Sequence, residues 1–315
     1  MDESSEAGWP QDEPWEIVWC YVGWYDVADR LERMLPSWAR LVRMSGDRPL
    51  SEQVANCDVL IPTTGTVDAA IIRAAPKCKL IAQPAAGHDN IDRGVARELG
   101  IPVTIAPGSN AQSVAEAALM MMLTLARRVR EGQAVFADRR IGEPVGMELC
   151  GKQLGIVGMG RVGEALGRVA TGLGMTVFGV SSASSRGELE SLLTVSHVVS
   201  LHCPLNARTT GLIGRTELSL MRPGALLINC ARGAVIDKEA LCEALDAGLL
   251  GGVGLDVHWV EPADPEEPLY QHKRVLALPH TGTITHEVCE RFAQVLFENI
   301  LRRRDGRPPL NQLCC

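Results

Sequence analysis

Along the first third of the chain, short apolar runs alternate with longer segments whose apolar residues recur at helical spacing. The runs Trp15–Val22, Trp38–Met44, Asp58–Ile61 and Leu80–Ala82 have the length of buried strands. Between them, Asp26–Met34, Val67–Ala75 and Ile91–Leu99 read as helices, the first ending before Pro36. Strands alternating with helices over this distance predict parallel β-α units, not a sandwich. From Ser109 the pattern changes. Ser113-Val-Ala-Glu116 has capping-box spacing, and the apolar helix that follows, Ala115–Arg128, carries a methionine cluster suited to core or subunit-interface packing. A polar, glycine-containing stretch, Gly132–Gly146, separates it from the next unit.

That next unit opens with a strand candidate, Lys152–Val157, running directly into Gly158-Met-Gly160-Arg161-Val162-Gly163 and then a helical pattern. Strand, G-x-G-x-x-G turn and helix in this order predict a dinucleotide site. The first glycine permits the tight turn, the second lets backbone approach a pyrophosphate, and the third lets helix and strand pack closely. The helix N-terminus supplies N–H donors. The second strand of such a unit, Met175–Val180, normally ends near an acid that holds the ribose diol. Here it leads into Ser181-Ser182-Ala-Ser-Ser-Arg186, and no acid lies between Glu164 and Glu188. Serine hydroxyls with Arg186 would suit a 2′-phosphate, so NADP(H) is favoured, with NAD(H) the alternative.

Length and charge narrow the class. At 315 residues the chain is long enough for two domains of about 150 residues. Acids outnumber bases, 38 to 31, and aromatics make up 4%, which argues against nucleic-acid binding. The acidic N-terminus is unlike a targeting peptide and reads as a disordered leader over residues 1–14. The longest strongly apolar stretch, Ala117–Ala126, is half of what a bilayer span needs, so no membrane partner is expected. Ten scattered cysteines without a CxxC pair suggest buried thiols in a cytoplasmic protein, with no metal site. The terminal Cys314-Cys315 reads as a frayed tail, because Gln312 stands where a CaaX box needs cysteine.

Three ionisable residues fall at or just beyond strand ends: Arg232 in Cys230-Ala231-Arg-Gly, Glu261 after Leu255-Asp256-Val, and His280 after Val275–Leu278. In an open parallel sheet those ends line the ligand crevice. An arginine can clamp a 2-oxo acid with paired donors. A histidine can give the proton that the new hydroxyl needs, with a carboxylate holding its tautomer.

At these positions the sequence resembles the D-isomer-specific 2-hydroxyacid dehydrogenases. The resemblance runs from about Asp58 to Glu298. It includes Gly87-x-Asp89-x-Ile-Asp92, Asn110-Ala-x-Ser-Val-Ala-Glu116, the glycine turn, CPL at 203–205, ARG at 231–233, LDV at 255–257, EP at 261–262 and PH at 279–280. The run Pro279–Thr285 is most similar to the glyoxylate/hydroxypyruvate reductase branch. The resemblance implies Arg232 as substrate clamp, His280 as acid/base and Glu261 as its partner. It implies that backbone N–H groups near Ala86-Gly87 hold the substrate carboxylate, that Asp256 faces the nicotinamide, and that Cys203, Pro204 and Thr209 line the adenosine side. The cofactor-binding set is then Gly158, Gly160, Arg161, Val162, Gly163, Ser181, Ser182, Arg186, Cys203, Pro204, Thr209, Cys230, Ala231 and Asp256.

The expected fold is α/β, with two Rossmann-like domains built on doubly wound parallel sheets. A substrate-binding domain (1–108 plus 291–315) is split around a dinucleotide-binding domain (109–290). The expected activity is hydride transfer between NAD(P)H and a small 2-oxo acid, giving the D-2-hydroxy acid, in a homodimer. A non-catalytic nucleotide-sensing paralogue or corepressor-like scaffold is the alternative. Three departures from the family pattern stand out: a short Val180–His197 segment, His197 in place of an acid, and alanine at the first position of Ala85-Ala86-Gly87.

Overall fold

A computed structural model describes residues 14–313. The leader up to position 13 and Cys314-Cys315 lie outside the described residues. The chain divides into two compact units, Met1–Ser109 with Ile284–Cys315, and Asn110–Thr283.

In the first unit, β1 (Trp15–Trp19), β2 (Ala39–Arg43), β3 (Val59–Ile61), β4 (Leu80–Ala82) and β5 (Val103–Thr104) form a parallel sheet in the order β2-β1-β3-β4-β5. The strand period of two sorts the core. Trp15, Ile17 and Trp19 pack with α1 (Tyr25–Met34) and the last helix, α12 (His286–Arg304). Val18 and Cys20 pack with α2 (Leu50–Gln53), α3 (Ala69–Arg73) and α4 (Arg93–Glu98). Each fully buried Ile, Leu or Phe in these layers contributes about 1.5–3 kcal/mol. Asp68 and Asp92 start α3 and α4 as N-caps, accepting from Ile71 N at 3.0 Å and Val95 N at 3.1 Å.

The second unit begins with α5 (Ala111–Ala126) and α6 (Val129–Ala137). It continues as β6 (Gln153–Val157), α7 (Arg161–Gly172), β7 (Thr176–Val180), α8 (Arg186–Val195), β8 (Val198–Leu201), α9 (Arg215–Leu220), β9 (Ala225–Asn229), α10 (Lys238–Asp246), β10 (Leu250–Leu255), α11 (Pro268–Gln271) and β11 (Val275–Ala277). Its sheet is also wholly parallel, in the order β11-β10-β9-β8-β6-β7. One face packs on α5 and α7, the other on α8, α9 and α10. Both sheets are therefore doubly wound. Strand order reverses at β1/β3 in one and at β6/β8 in the other, the places where such sheets bind ligands.

Two local expectations are corrected. Ser113 is not a cap: α5 starts at Ala111 behind Asn110, and Ser113 is buried in its first turn. The Gly132–Gly146 stretch is not all connector, because α6 extends to Ala137, and none of its residues is buried. The methionine cluster divides, Met121 and Met122 being fully buried and Met120 exposed. Among the described residues no helix is long and apolar enough to cross a membrane, and no group of His, Cys, Asp or Glu is arranged to hold a metal.

Candidate active site

The turn from β6 to α7 lies at the sequence switch of its sheet. Gly158 has φ +107°, and a Cβ there would lie 2.5 Å from Cys203 N. A Cβ on Gly163 would lie 2.4 Å from Gly158 O. Both glycines thus answer close backbone packing. Gly160 differs: a Cβ there meets nothing within 4 Å. Gly160 is also the N-cap of α7 with no side-chain cap bond, so the amides of Arg161, Val162 and Gly163 open onto that space. A backbone cradle left open at a helix N-terminus fits the pyrophosphate of a dinucleotide.

Beyond β7, Ser181 and Ser182 are exposed and bring no carboxylate. Glu188, the nearest acid in sequence, is used in the capping box of α8, accepting from Ser185 N at 2.7 Å and Ser185 Oγ at 2.8 Å. Arg186 is engaged by carboxylates. It pairs with Glu190 at 3.2 Å and with the buried Glu217. After β8, Cys203 is buried beside Gly158. The Thr209 hydroxyl closes the next loop by donating to Pro204 O at 2.6 Å and accepting from Asn206 N at 2.8 Å. His202 bonds Ser200 Oγ through Nε2 at 2.8 Å, and burial pushes its pKa down to about 4.

At the end of β9, the fully buried Asn229 shapes the turn that carries Arg232. Its Nδ2 donates to Arg232 O at 2.9 Å and its Oδ1 accepts from Ala231 N at 3.0 Å. Burial pushes the neighbouring Cys230 thiol well above its ordinary value, which makes it a packing residue and not a nucleophile. Gly233 presses on the loop after β10: a Cβ there would lie 2.2 Å from His258 C. The Arg232 turn therefore rests on the loop that carries Glu261.

Glu261 and His280 meet. His280 Nδ1 is 2.7 Å from Glu261 Oε2, and Glu261 Oε1 accepts from His258 N at 3.0 Å. A carboxylate only accepts, so Nδ1 donates and the proton chemistry of the ring falls to Nε2. Burial pushes the Glu261 carboxyl up, but His280 and the His258 amide outweigh it and hold it below the usual range. His280 itself adopts left-handed backbone, φ 53°, in a turn where its N–H donates to Leu278 O at 3.0 Å. Asp256 braces the same turn, accepting from Thr281 N at 2.8 Å and Gly282 N at 2.9 Å. Its carboxyl is raised by burial despite the His280 charge and those amides.

In the first unit, Ala86 and Gly87 follow β4, and their loop is tied down by the buried Gln83. Gln83 Nε2 donates to Gly87 O at 2.7 Å and to Thr63 O at 2.9 Å. Asn90 Nδ2 donates to Gly65 O at 2.6 Å and Thr63 O at 3.2 Å. Thr63, a β-branched residue, has φ 57°, a strained conformation of the kind held at functional sites. Thr63 Oγ1, Gln83 Oε1 and Asn90 Oδ1 are buried without a hydrogen-bond partner. Buried polar atoms left open in this way cost free energy unless a ligand or water completes them.

Asn229, Gln83 and Thr63 were not among the residues singled out from sequence. For Asn229 a signal existed, a polar residue closing an otherwise apolar strand. For the others only the fold brings the partners together.

Comparison with known proteins identifies the family. Residues 119–282 match the family model described as D-isomer specific 2-hydroxyacid dehydrogenase, NAD binding domain. The glyoxylate reductase of Korarchaeum cryptofilum is 38% identical over 282 residues, covering 82% of this chain and 83% of the relative. That of Thermococcus litoralis is 40% identical, covering 83% and 85%. The crystal structure of the TT0316 protein from Thermus thermophilus superposes with a TM-score of 0.83 at 36% identity, covering 95% of this chain and 99% of that one. With the glycine turn, the Glu261–His280 pair and these matches together, the chain belongs to the D-isomer-specific 2-hydroxyacid dehydrogenase family, oxidoreductases of 2-oxo and 2-hydroxy acids that use a nicotinamide dinucleotide.

Proposed function

We propose that this chain reduces a small 2-oxo acid of the glyoxylate or hydroxypyruvate type to its D-2-hydroxy acid, with Arg232, Glu261 and His280 as the working residues. The observation that carries this reading is the 2.7 Å bond from His280 Nδ1 to Glu261 Oε2. It fixes one tautomer and so places a transferable proton on Nε2. Arg232, on a turn seated against the same loop, polarises the 2-oxo group and pairs with the substrate carboxylate. The dinucleotide, when bound at the Gly160 cradle, supplies the hydride. In this reading the unit of Asn110–Thr283 binds the dinucleotide, and the unit containing Ala86-Gly87 binds the substrate. Of the open atoms beside that loop, the Thr63 hydroxyl can donate to an acid, whereas the Gln83 and Asn90 amide oxygens only accept and suit a ligand hydroxyl or water.

The finer cofactor preference follows from charge. The serines after β7 present no carboxylate to repel a 2′-phosphate, which supports NADP(H) over NAD(H). Arg186 is held by Glu217 and Glu190, so the hydroxyls of Ser181 and Ser182 carry the recognition in place of the arginine. One experiment tests substrate and cofactor together: NADPH and NADH oxidation measured against glyoxylate, hydroxypyruvate, pyruvate and phenylpyruvate. The expected result is turnover with the two smaller, more polar acids and a lower KM for NADPH. A clear NADH preference rejects the cofactor assignment, and no turnover with any of the four rejects the activity.

A homodimer completes the reading. Phe136 of α6 is 83% exposed, and Ile141 and Val145, just beyond it, are 93% and 82% exposed. Large apolar side chains clustered in one unburied segment mark an interface, here with a second copy. Sedimentation of the wild type should give a dimer, and the double variant Phe136→Asp/Ile141→Asp a monomer. A monomeric wild type at micromolar concentration would overturn this.

A further inference from the structure

His258 lies three residues before Glu261 and contacts both members of the proton-transfer pair's scaffold. Its amide donates to Glu261 Oε1 at 3.0 Å. Its ring Nε2 lies 2.8 Å from Leu278 O, the carbonyl that also accepts the His280 N–H at 3.0 Å. Its ring Nδ1 lies 3.1 Å from Tyr270 Oη, and the two rings meet edge to face with centroids 5.1 Å apart.

For a neutral His258 ring these contacts permit one arrangement of protons. Leu278 O can only accept, so Nε2 of His258 carries the hydrogen. In a neutral ring Nδ1 is then an acceptor, and it takes the Tyr270 hydroxyl. Tyr270 suits that role, because burial, with the charges of Glu267 and Glu261, pushes its phenol up to about 12 and keeps it a donor at working pH. The ring of His258 thus fills the second lone pair of Leu278 O. That carbonyl closes the turn in which His280 is held with positive φ, a conformation a non-glycine residue keeps only when its surroundings enforce it. Through its amide His258 aims the carboxylate, and through its ring it secures the histidine's turn.

We propose that His258, with Tyr270 fixing its tautomer, is a positioning residue for the Glu261–His280 pair. The proposal rests on the reading that His280 moves the proton, and its test separates the two. Three variants are compared with the wild type: Tyr270→Phe, His258→Leu and His258→Gln, whose side-chain amide can still donate to Leu278 O. Steady-state kinetics are measured with bound dinucleotide and a 2-oxo acid. Exchange of the His280 Nδ1 proton is followed by NMR of the imidazole N–H signals in the protein alone. Losing one supporting hydrogen bond is expected to lower kcat about 5-fold in Tyr270→Phe, with KM unchanged. His258→Leu, which loses two, is expected to lose about 20-fold or more, with His258→Gln recovering part of it. Exchange at His280 quickens in the same order. Wild-type exchange in all variants overturns the proposal, as do equal losses in His258→Leu and His258→Gln that only track the folded fraction. Faster exchange with undiminished turnover supports the positioning role and rejects His280 as the proton carrier.

Discussion

Turnover of a His280→Ala variant is expected to fall by about 10²-fold or more, the usual scale for losing a placed general acid. The dinucleotide should bind as before, because no atom of the β6–α7 turn depends on His280. The reduction would then proceed only with a proton from water. Glu261→Gln should cost less, since a side-chain amide oxygen can still accept from Nδ1 while the charge that stabilises the protonated ring is gone. The pair also predicts a direction in pH. Glu261 is held below the ordinary carboxylate range, so it stays charged as the solution is acidified through the values where free glutamate titrates. Its contribution to stability is present above the unfolded value and is lost as pH falls through the lower folded one. Activity should therefore persist on the acid side to below about pH 4.3, the value for free glutamate, wherever Glu261 is the limiting group. Stopped-flow measurement of kcat across pH checks both expectations, and near-normal turnover in His280→Ala would reject the assignment of that residue.

Gly158→Ala should damage stability and binding together. Its φ of +107° strains any side chain, and the added Cβ would press on the backbone of His202 and Cys203 at 2.5–2.6 Å. Left-handed strain and overpacking of a tight site together cost about 2–5 kcal/mol. At about 2–4 °C per kcal/mol for a unit of this size, Tm should drop by about 10 °C. Gly160→Ala is the informative contrast. Its Cβ would meet no protein atom within 4 Å, so Tm should hold. Its methyl would stand in the space assigned to the pyrophosphate, so dinucleotide affinity should still fall. Calorimetry and fluorescence titration of both variants separate folding from binding. Equal Tm losses in the two would show that the space at Gly160 is not a ligand cradle.

The glycine turn was legible because its chemistry is local: strand, glycines and helix follow one another within a dozen residues. Strands β3 and β4 were legible for a similar reason, as short apolar runs between turn residues. Strand β10, which leads to Glu261, was harder to see. Its sequence Leu-Gly-Gly-Val-Gly-Leu has little periodicity, and its glycines serve a distant partner: a Cβ on Gly254 would come within 3.1 Å of Met121 on α5. The α6 helix was hidden by a mid-helix glycine and by exposed apolar residues that mimic no amphipathic pattern. Arg186 shows the limit of reading charge from sequence. Nothing near it predicts that Glu217, buried and 31 positions later, captures its guanidinium. Thr63 and Gln83 are identified by hydrogen bonds they do not make, which only a folded chain can reveal.

The contact of Gly233 with the His258–Trp259 backbone has a consequence for changing the enzyme's substrate. The arginine turn and the glutamate loop cannot be remodelled as independent parts, since displacing one peptide pushes the other. Substitutions made in the 258–261 loop to admit a larger acid will shift the Arg232 turn as well. Their effects should be non-additive with changes at Arg232, so a search for new specificity has to vary the two segments together.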